Sequence, residues 1–230
     1  VALARALVDE KKLILFDEPL SNLDAVLRSG MRKELILFKK MFNVTAIYVT
    51  HDQVEAMSMA SRIVLLMEGR IIQVGTPYQL YNNPVHLLSA TFIGTPEANV
   101  FYGLNEFKLR MHTHQKNLLK SFVNEHLYFV VRPQDIKVSD IPKESFIEVK
   151  FIFEENFGDN RLLYVDYFGH TVSVVVNKDF IVKETLYLDL NTHVFLFDQN
   201  QRRIYNEIIK VVKVIDFDLD DQIQRELINY

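Results

Sequence analysis

The spacing of apolar residues changes period twice in the first fifty positions. Leu13-Ile14-Leu15-Phe16 is an unbroken apolar run, the pattern of a strand buried on both faces, and it stops at Asp17-Glu18-Pro19. Pro19 forces a turn there. From residue 25 the period is helical: Val26, Leu27, Met31, Leu35, Phe38 and Phe42 recur along one side, with Arg32, Lys33, Glu34, Lys39 and Lys40 between them and Asp24 placed as an N-cap. Residues 44–50 are β-branched and aromatic, which predicts a second buried strand. Strand, helix and strand at this spacing predict a parallel pair joined by a right-handed crossover.

The remaining elements follow from local signals. Residues 1–8 are helix formers with alanines on more than one side, as in a helix packed closely on a neighbour, and Arg5 serves either the sheet or the surface. Asp52 is expected to cap a helix running to about Ala60, and residues 62–67 and 71–74 to form two strands around Glu68-Gly69-Arg70. Thr76 with Pro77 opens a further helix. Near Asn99 helical spacing gives way to short strands, expected at 100–104, 127–131, 146–154, 161–167, 170–176, 186–190 and 193–197. The expected organisation is an α/β part over residues 1–98 and an all-β barrel or sandwich over residues 99–230.

Candidate chemistry sits at the strand ends. In an open α/β sheet the carboxyl ends of the strands form the ligand crevice, so Asp17 and Glu18 project into it. Adjacent side chains at a strand end point opposite ways, which assigns them separate tasks. His51 ends the second strand, and parallel pairing brings it to the same rim. Taken singly, an acidic turn after a core strand and a structural histidine remain open readings. Their common rim favours function.

These residues carry a resemblance. Leu13 to Asp24, including Asp17-Glu18-Pro19-Leu20-Ser21-Asn22-Leu23-Asp24, resembles the Walker B strand and D-loop of ATP-binding-cassette (ABC) ATPases. Val49-Thr50-His51-Asp52-Gln53-Val54-Glu55-Ala56 resembles their switch loop, and Val1-Ala2-Leu3-Ala4-Arg5-Ala6-Leu7 the helix after their signature loop. Gly75-Thr76-Pro77-Tyr78 and Phe92-Ile93-Gly94 resemble the connector of importer ATPases of the maltose and glycerol-phosphate type, which leads into an OB-like regulatory (TOBE) domain. Arg132-Pro133-Gln134-Asp135-Ile136, Asn156-Phe157-Gly158-Asp159, Phe197-Asp198 and Arg203-Ile204 sit where that domain carries similar residues. Gln134 replaces the acidic residue usual after Arg-Pro, and Gln199 to Arg203 lacks the glycine common in the last turn, so regulator contacts are not carried over.

The resemblance implies the C-terminal part of a P-loop NTPase parallel sheet followed by an all-β OB-like barrel. It implies that Asp17 holds Mg²⁺ through water, that Glu18 polarises the water attacking the γ-phosphate of ATP, and that His51 bonds that phosphate. Asp24, in the D-loop, is implied to lie beside the nucleotide at the interface with a second ATPase subunit. The implied setting is the cytoplasmic face of the cell membrane, bound peripherally to transmembrane permease subunits, with a solute-binding protein as an indirect partner and sugars or glycerol phosphate as the transported solutes. A second reading is a noncatalytic ABC remnant acting as a dimerisation or regulatory binding module.

Composition adds bounds. At 230 residues with 49% hydrophobic and 24% charged content, the chain is ordinary for one large or two small globular domains. A net charge of -4 supplies no general attraction to nucleic acid or anionic lipid, and nucleic acid is not an expected partner. The absence of cysteine excludes disulfides and thiolate metal sites. No apolar run reaches bilayer-spanning length and the amino end lacks a signal-peptide layout. The chain starts at Val1 inside a helical pattern and reads as the C-terminal part of a longer protein. It contains no G-x-x-x-x-G-K-[ST] phosphate loop, so the chain alone is expected to turn over negligible ATP. His112 and His114 alternate as a strand-borne metal pair would, without a third ligand nearby. Seventeen Phe and ten Tyr, with no accompanying basic groove, read as core packing. An acidic tail over residues 214–230 is expected to be a helix or mobile.

Overall fold

The computed structural model describes residues 13–42, 44–103, 127–144, 146–190 and 193–204. The expectations for residues 1–8 with Arg5, for His112 and His114, and for the acidic tail lie outside the described residues. The chain divides into two compact units, Val1–Asn83 and Pro84–Tyr230.

In the first unit β1 (Leu13–Asp17) and β2 (Thr45–Val49) form a parallel pair, in register from Leu13 opposite Thr45 to Asp17 opposite Val49. Between them runs α1 (Ala25–Phe42). It starts where it does because Asp24 Oδ1 accepts the N–H groups of Val26 (3.0 Å) and Leu27 (2.9 Å). Lys39 and Lys40 occupy its last turn, where the helix dipole favours cations. The second helix, α2 (Gln53–Met59), is capped by Asp52, whose Oδ1 accepts from Val54 N at 2.8 Å and Glu55 N at 3.3 Å. Lys39 Nζ donates to the Met59 carbonyl at 3.3 Å and so ties α1 to the end of α2. The antiparallel hairpin of β3 (Ile63–Met67) and β4 (Arg70–Gly75) turns through Glu68 and Gly69 at φ 50° and 73°. Two consecutive positive φ values make the primed turn that suits strand twist, and glycine adopts the second at little cost. Thr76 and Gln79 form a reciprocal capping box at the start of α3 (Pro77–Asn82).

Burial departs from expectation in this unit. Ile14 is 6% exposed, but Leu15 is 71% exposed, and Leu13, Ile47 and Val49, which share its face, are exposed as well. An apolar run shows that a strand tolerates burial on both faces; it does not supply the covering element. Among the described residues this sheet has two strands, and one of its faces is open. The helical stripe of α1 behaves similarly, with Leu35 buried and Val26, Leu27 and Phe42 exposed.

Strands dominate the second unit. A five-stranded antiparallel sheet runs in the order β10 (His170–Asn177), β9 (Asn160–Tyr167), β8 (Ile147–Asn156), β11 (Thr185–Asp189), β7 (Lys137–Ser139). A three-stranded one runs β12 (Val194–Phe197), β6 (Tyr128–Val131), β5 (Asn99–Tyr102). Both sheets contribute to one core that includes Phe101, Phe129, Leu163, Val174 and Leu186. Asn99 stitches them together: Nδ2 donates to the Ser173 carbonyl at 2.9 Å and Oδ1 accepts from Ser173 N at 2.8 Å. Helix α4 (Leu87–Phe92) packs Leu87 and Ala90 against Val130, Phe195 and Phe197. By packing, residues 84–98 therefore go with the strands, although composition changes nearer Asn99. Buried Arg132 fastens this helix, donating to the carbonyls of Ile93 at 2.6 Å and Ala90 at 3.4 Å. Among the described residues, no helix is long and apolar enough to cross a membrane.

Candidate active site

The two parallel strands end level with one another, and the ladder continues for one residue past β1: Glu18 N donates to the Val49 carbonyl at 2.9 Å. Glu18 then leaves the strand with φ of 44°, a conformation that non-glycine residues rarely adopt. Such backbone costs about 1–3 kcal/mol and persists only where surrounding structure enforces it. Here Ser21 reinforces the bend, its N and Oγ both donating to the Glu18 carbonyl at 3.3 and 2.9 Å. The alternation rule applied to Asp17 and Glu18 thus stops one residue early, because Glu18 lies in the turn.

The bend brings Glu18 Oε1 to 2.9 Å from His51 Nδ1. Both side chains are open to solvent, His51 at 73% and Glu18 at 45%. The hydrogen bond to Glu18, then its charge, raises the His51 pKa above the usual 6.5, with smaller support from Asp52 and Glu55 against a desolvation effect in the opposite direction. A protonated imidazole donates Nδ1–H to Glu18 and keeps Nε2–H for a second acceptor, such as a phosphate oxygen. An exposed ion pair adds little to stability. Its value lies in charge and direction.

Asp17 sits exposed at the end of β1, opposite Val49. Asp24 caps α1, so its placement serves the helix start at the least. Among the described residues, no group of three or more His, Asp or Glu could hold a metal ion. A single exposed carboxylate such as that of Asp17 is compatible with Mg²⁺, which keeps several waters and commonly takes one or two protein carboxylates together with phosphate oxygens.

Several contributors were not singled out from sequence. Arg28 of α1 donates from Nη2 to the Leu23 carbonyl at 2.9 Å and lies 3.8 Å from Asp52 through Nη1, linking the starts of the two helices. Glu55 is 3% exposed and turns inward. Its Oε2 accepts from Tyr48 at 2.9 Å and from Thr50 at 2.8 Å, and Thr50 Oγ1 in turn accepts Asp52 N at 3.0 Å. Hydrogen bonds to a charged acceptor contribute about 1.5–3 kcal/mol each. Burial and the Glu55 carboxylate push the Tyr48 phenol well above its usual 10.0, so it remains a donor. The spacing of Asp52 and Glu55 is that of a capping box, which predicts Glu55 reaching back to the backbone; the two hydroxyls at the end of β2 compete successfully for it. Glu18, Ser21, Arg28, Thr50, His51 and Asp52 line one small pocket.

No protein-family model matches the chain. Individual curated proteins do. The sn-glycerol-3-phosphate import ATP-binding protein UgpC 2 of Agrobacterium fabrum is 36% identical over 208 residues, covering 86% of this chain and 55% of that protein. The oligosaccharides import ATP-binding protein MsmX of Bacillus subtilis is 36% identical over 228 residues, 92% of this chain and 60% of its own length. The trehalose/maltose import ATP-binding protein MalK of Thermococcus litoralis is 34% identical over 223 residues, 90% and 59%. Over most of its length this chain matches ABC import ATP-binding proteins. It spans between half and two thirds of the length of these relatives. Within the matched stretch, Glu18 and His51 meet in a hydrogen bond, Asp17 stands one residue before Glu18 at the strand end, and Asp24 stands at the head of α1.

Proposed function

We propose that this chain belongs to the ATP-hydrolysing subunit of an importer for sugars or glycerol phosphate, and that the rim formed by Asp17, Glu18 and His51 faces the terminal phosphate of ATP. The observation that carries this reading is the 2.9 Å contact between Glu18 Oε1 and His51 Nδ1 at the carboxyl ends of a parallel pair. Glu18 orients the attacking water and accepts the proton it loses at the carboxylate. His51, whose protonated form the Glu18 carboxylate favours, offers Nε2–H to a γ-phosphate oxygen, where negative charge develops. Asp17, with hard oxygens exposed at the strand end, would hold Mg²⁺ through water. The ion would neutralise phosphate charge.

In this reading Asp24 lies at the junction with a second ATPase subunit and borders the nucleotide there. Residues 1–98 form the C-terminal part of a P-loop NTPase domain, and residues 99–230 an OB-like TOBE regulatory domain. The subunit works at the cytoplasmic face of the membrane on transmembrane permease subunits, with a solute-binding protein acting indirectly. The names of the relatives, which refer to import of glycerol phosphate, oligosaccharides and trehalose or maltose, support the solute class. The bonded pair of Glu18 and His51 favours catalysis over a noncatalytic dimerisation or regulatory module, which requires neither group.

The test is ATP hydrolysis by the complete ATPase carrying Glu18→Gln. Turnover is expected to fall by about 10²- to 10⁴-fold, the usual contribution of a positioned general base, with ATP binding retained. Unchanged turnover removes Glu18 from the reaction.

A further inference from the structure

Among the described residues the His51 ring is fastened by one exposed contact, that with Glu18, yet the backbone on either side of it is tied to the side chain of Glu55. Thr50 precedes it and gives its hydroxyl proton to Glu55 Oε2 at 2.8 Å. Asp52 follows it and gives its N–H to Thr50 Oγ1 at 3.0 Å. Tyr48, two residues before Thr50 on β2, donates to the same Glu55 oxygen at 2.9 Å. Glu55 itself is buried and belongs to α2, whose first turn is capped by Asp52. One carboxylate oxygen therefore joins the last turn of a strand, the residue before the histidine and, through Thr50, the residue after it.

We infer that Glu55 is the positioning residue for His51: by locking residues 48, 50 and 52 to α2 it sets where the imidazole meets Glu18. The charged neighbours fit this division of labour. Glu18 faces the ring from the turn after β1, Arg28 faces Asp52 from α1, and neither reaches the Thr50 hydroxyl in the bonds observed. In these partly buried bonds two neutral hydroxyls donate to one carboxylate on a buried residue, so they are less open to water than the exposed contact they support. A ring with two free torsions on a loose loop would sample several rotamers.

The functional meaning of this positioning rests on the proposed role of His51 toward phosphate, but the positioning itself is measurable without nucleotide. The experiment is an NMR nuclear Overhauser measurement on this 230-residue chain with labelled histidine and glutamate, reading the cross-peak between the His51 Hε1 and the Glu18 γ-methylene protons. The cross-peak is expected in the parent chain and in Glu55→Gln, whose amide oxygen accepts the two hydroxyls. It is expected to be lost in Glu55→Ala and in Thr50→Val, while amide resonances of the second unit stay in place. Persistence of the cross-peak in folded Thr50→Val, or its absence from the parent chain, overturns the inference. Thr50→Val decides the matter should Glu55→Ala not fold, because it preserves side-chain shape and removes the hydroxyl alone. Loss of the cross-peak together with an ATPase indifferent to His51 would retain the positioning role and reject the catalytic one.

Discussion

Asp17 is the parallel partner of Val49, and the residue that follows the first strand, Glu18, donates its N–H to the carbonyl of that same Val49 at 2.9 Å. Everything at the site follows from that register. A slip of one residue between β1 and β2 would turn the two strand ends to opposite faces and separate Glu18 from His51.

The His51 titration reports the contact directly. Its pKa lies above 6.5 because Glu18 hydrogen-bonds and charges the ring's surroundings, so Glu18→Gln is expected to bring it down towards 6.5 in an NMR titration of the ring protons. By linkage, a raised folded-state pKa gives stability that is fully present below 6.5 and is lost as pH rises through the folded value. An unchanged His51 titration in the variant shows that the two groups do not interact in solution.

His86 provides a titration of opposite sign. It caps α4, accepting Leu88 N at Nδ1 (3.2 Å), and burial followed by the charge of Arg202 lowers its pKa below 6.5. The neutral ring is the folded form, so its contribution is present above 6.5 and is lost as pH falls through the lowered value. The parent chain is expected to lose stability to urea between about pH 7 and pH 5 relative to His86→Asn, whose amide caps without titrating. With no Trp and ten Tyr, tyrosine fluorescence follows the transition. Equal pH dependence in both proteins rules out the cap as its source.

Arg132 is 1% exposed, and its guanidinium lies 5.6 Å from the Phe195 ring centre. Arg132→Met keeps much of the stem and leaves the Ile93 and Ala90 carbonyls without this donor. Each bond lost is expected to cost about 1.5–3 kcal/mol in urea unfolding. A change within ~0.5 kcal/mol would mean that these carbonyls find other donors.

Leu163 is fully buried between the sheets of the second unit. Leu163→Ala is expected to cost about 2–5 kcal/mol, the range for a cavity in a packed core. A smaller loss in the same unfolding assay indicates that the two sheets collapse around the missing side chain.

Local devices were the most legible part of this sequence. Asp24, Asp52 and Thr76 cap their helices as their residue types indicate, because capping involves neighbours within three or four positions. The strands from β8 to β10 also match their alternating patterns closely. Lys137–Ser139 was missed because three residues are too few to show a period. The rim of Glu18 and His51 was visible through parallel pairing, whereas the positive φ of Glu18 was not, since no glycine or asparagine marks it. Glu55 was hidden by its own position: three residues after an N-cap it looks like a capping partner, and only the fold brings Tyr48 and Thr50 to it. The open face bearing Leu15 was unforeseeable from pattern alone, because hydrophobicity states a preference and packing depends on what lies opposite.

The central claim is that Glu18 and His51 act as one unit on the terminal phosphate, and a double-mutant cycle on kcat in the complete ATPase tests it most directly. Glu18→Gln, His51→Ala and the two combined are compared at saturating ATP. The account predicts that the second substitution adds little once the first is made, as for groups that work together. Full multiplication of the two separate losses would show that the pair, though in contact, contributes independently, and would contradict it.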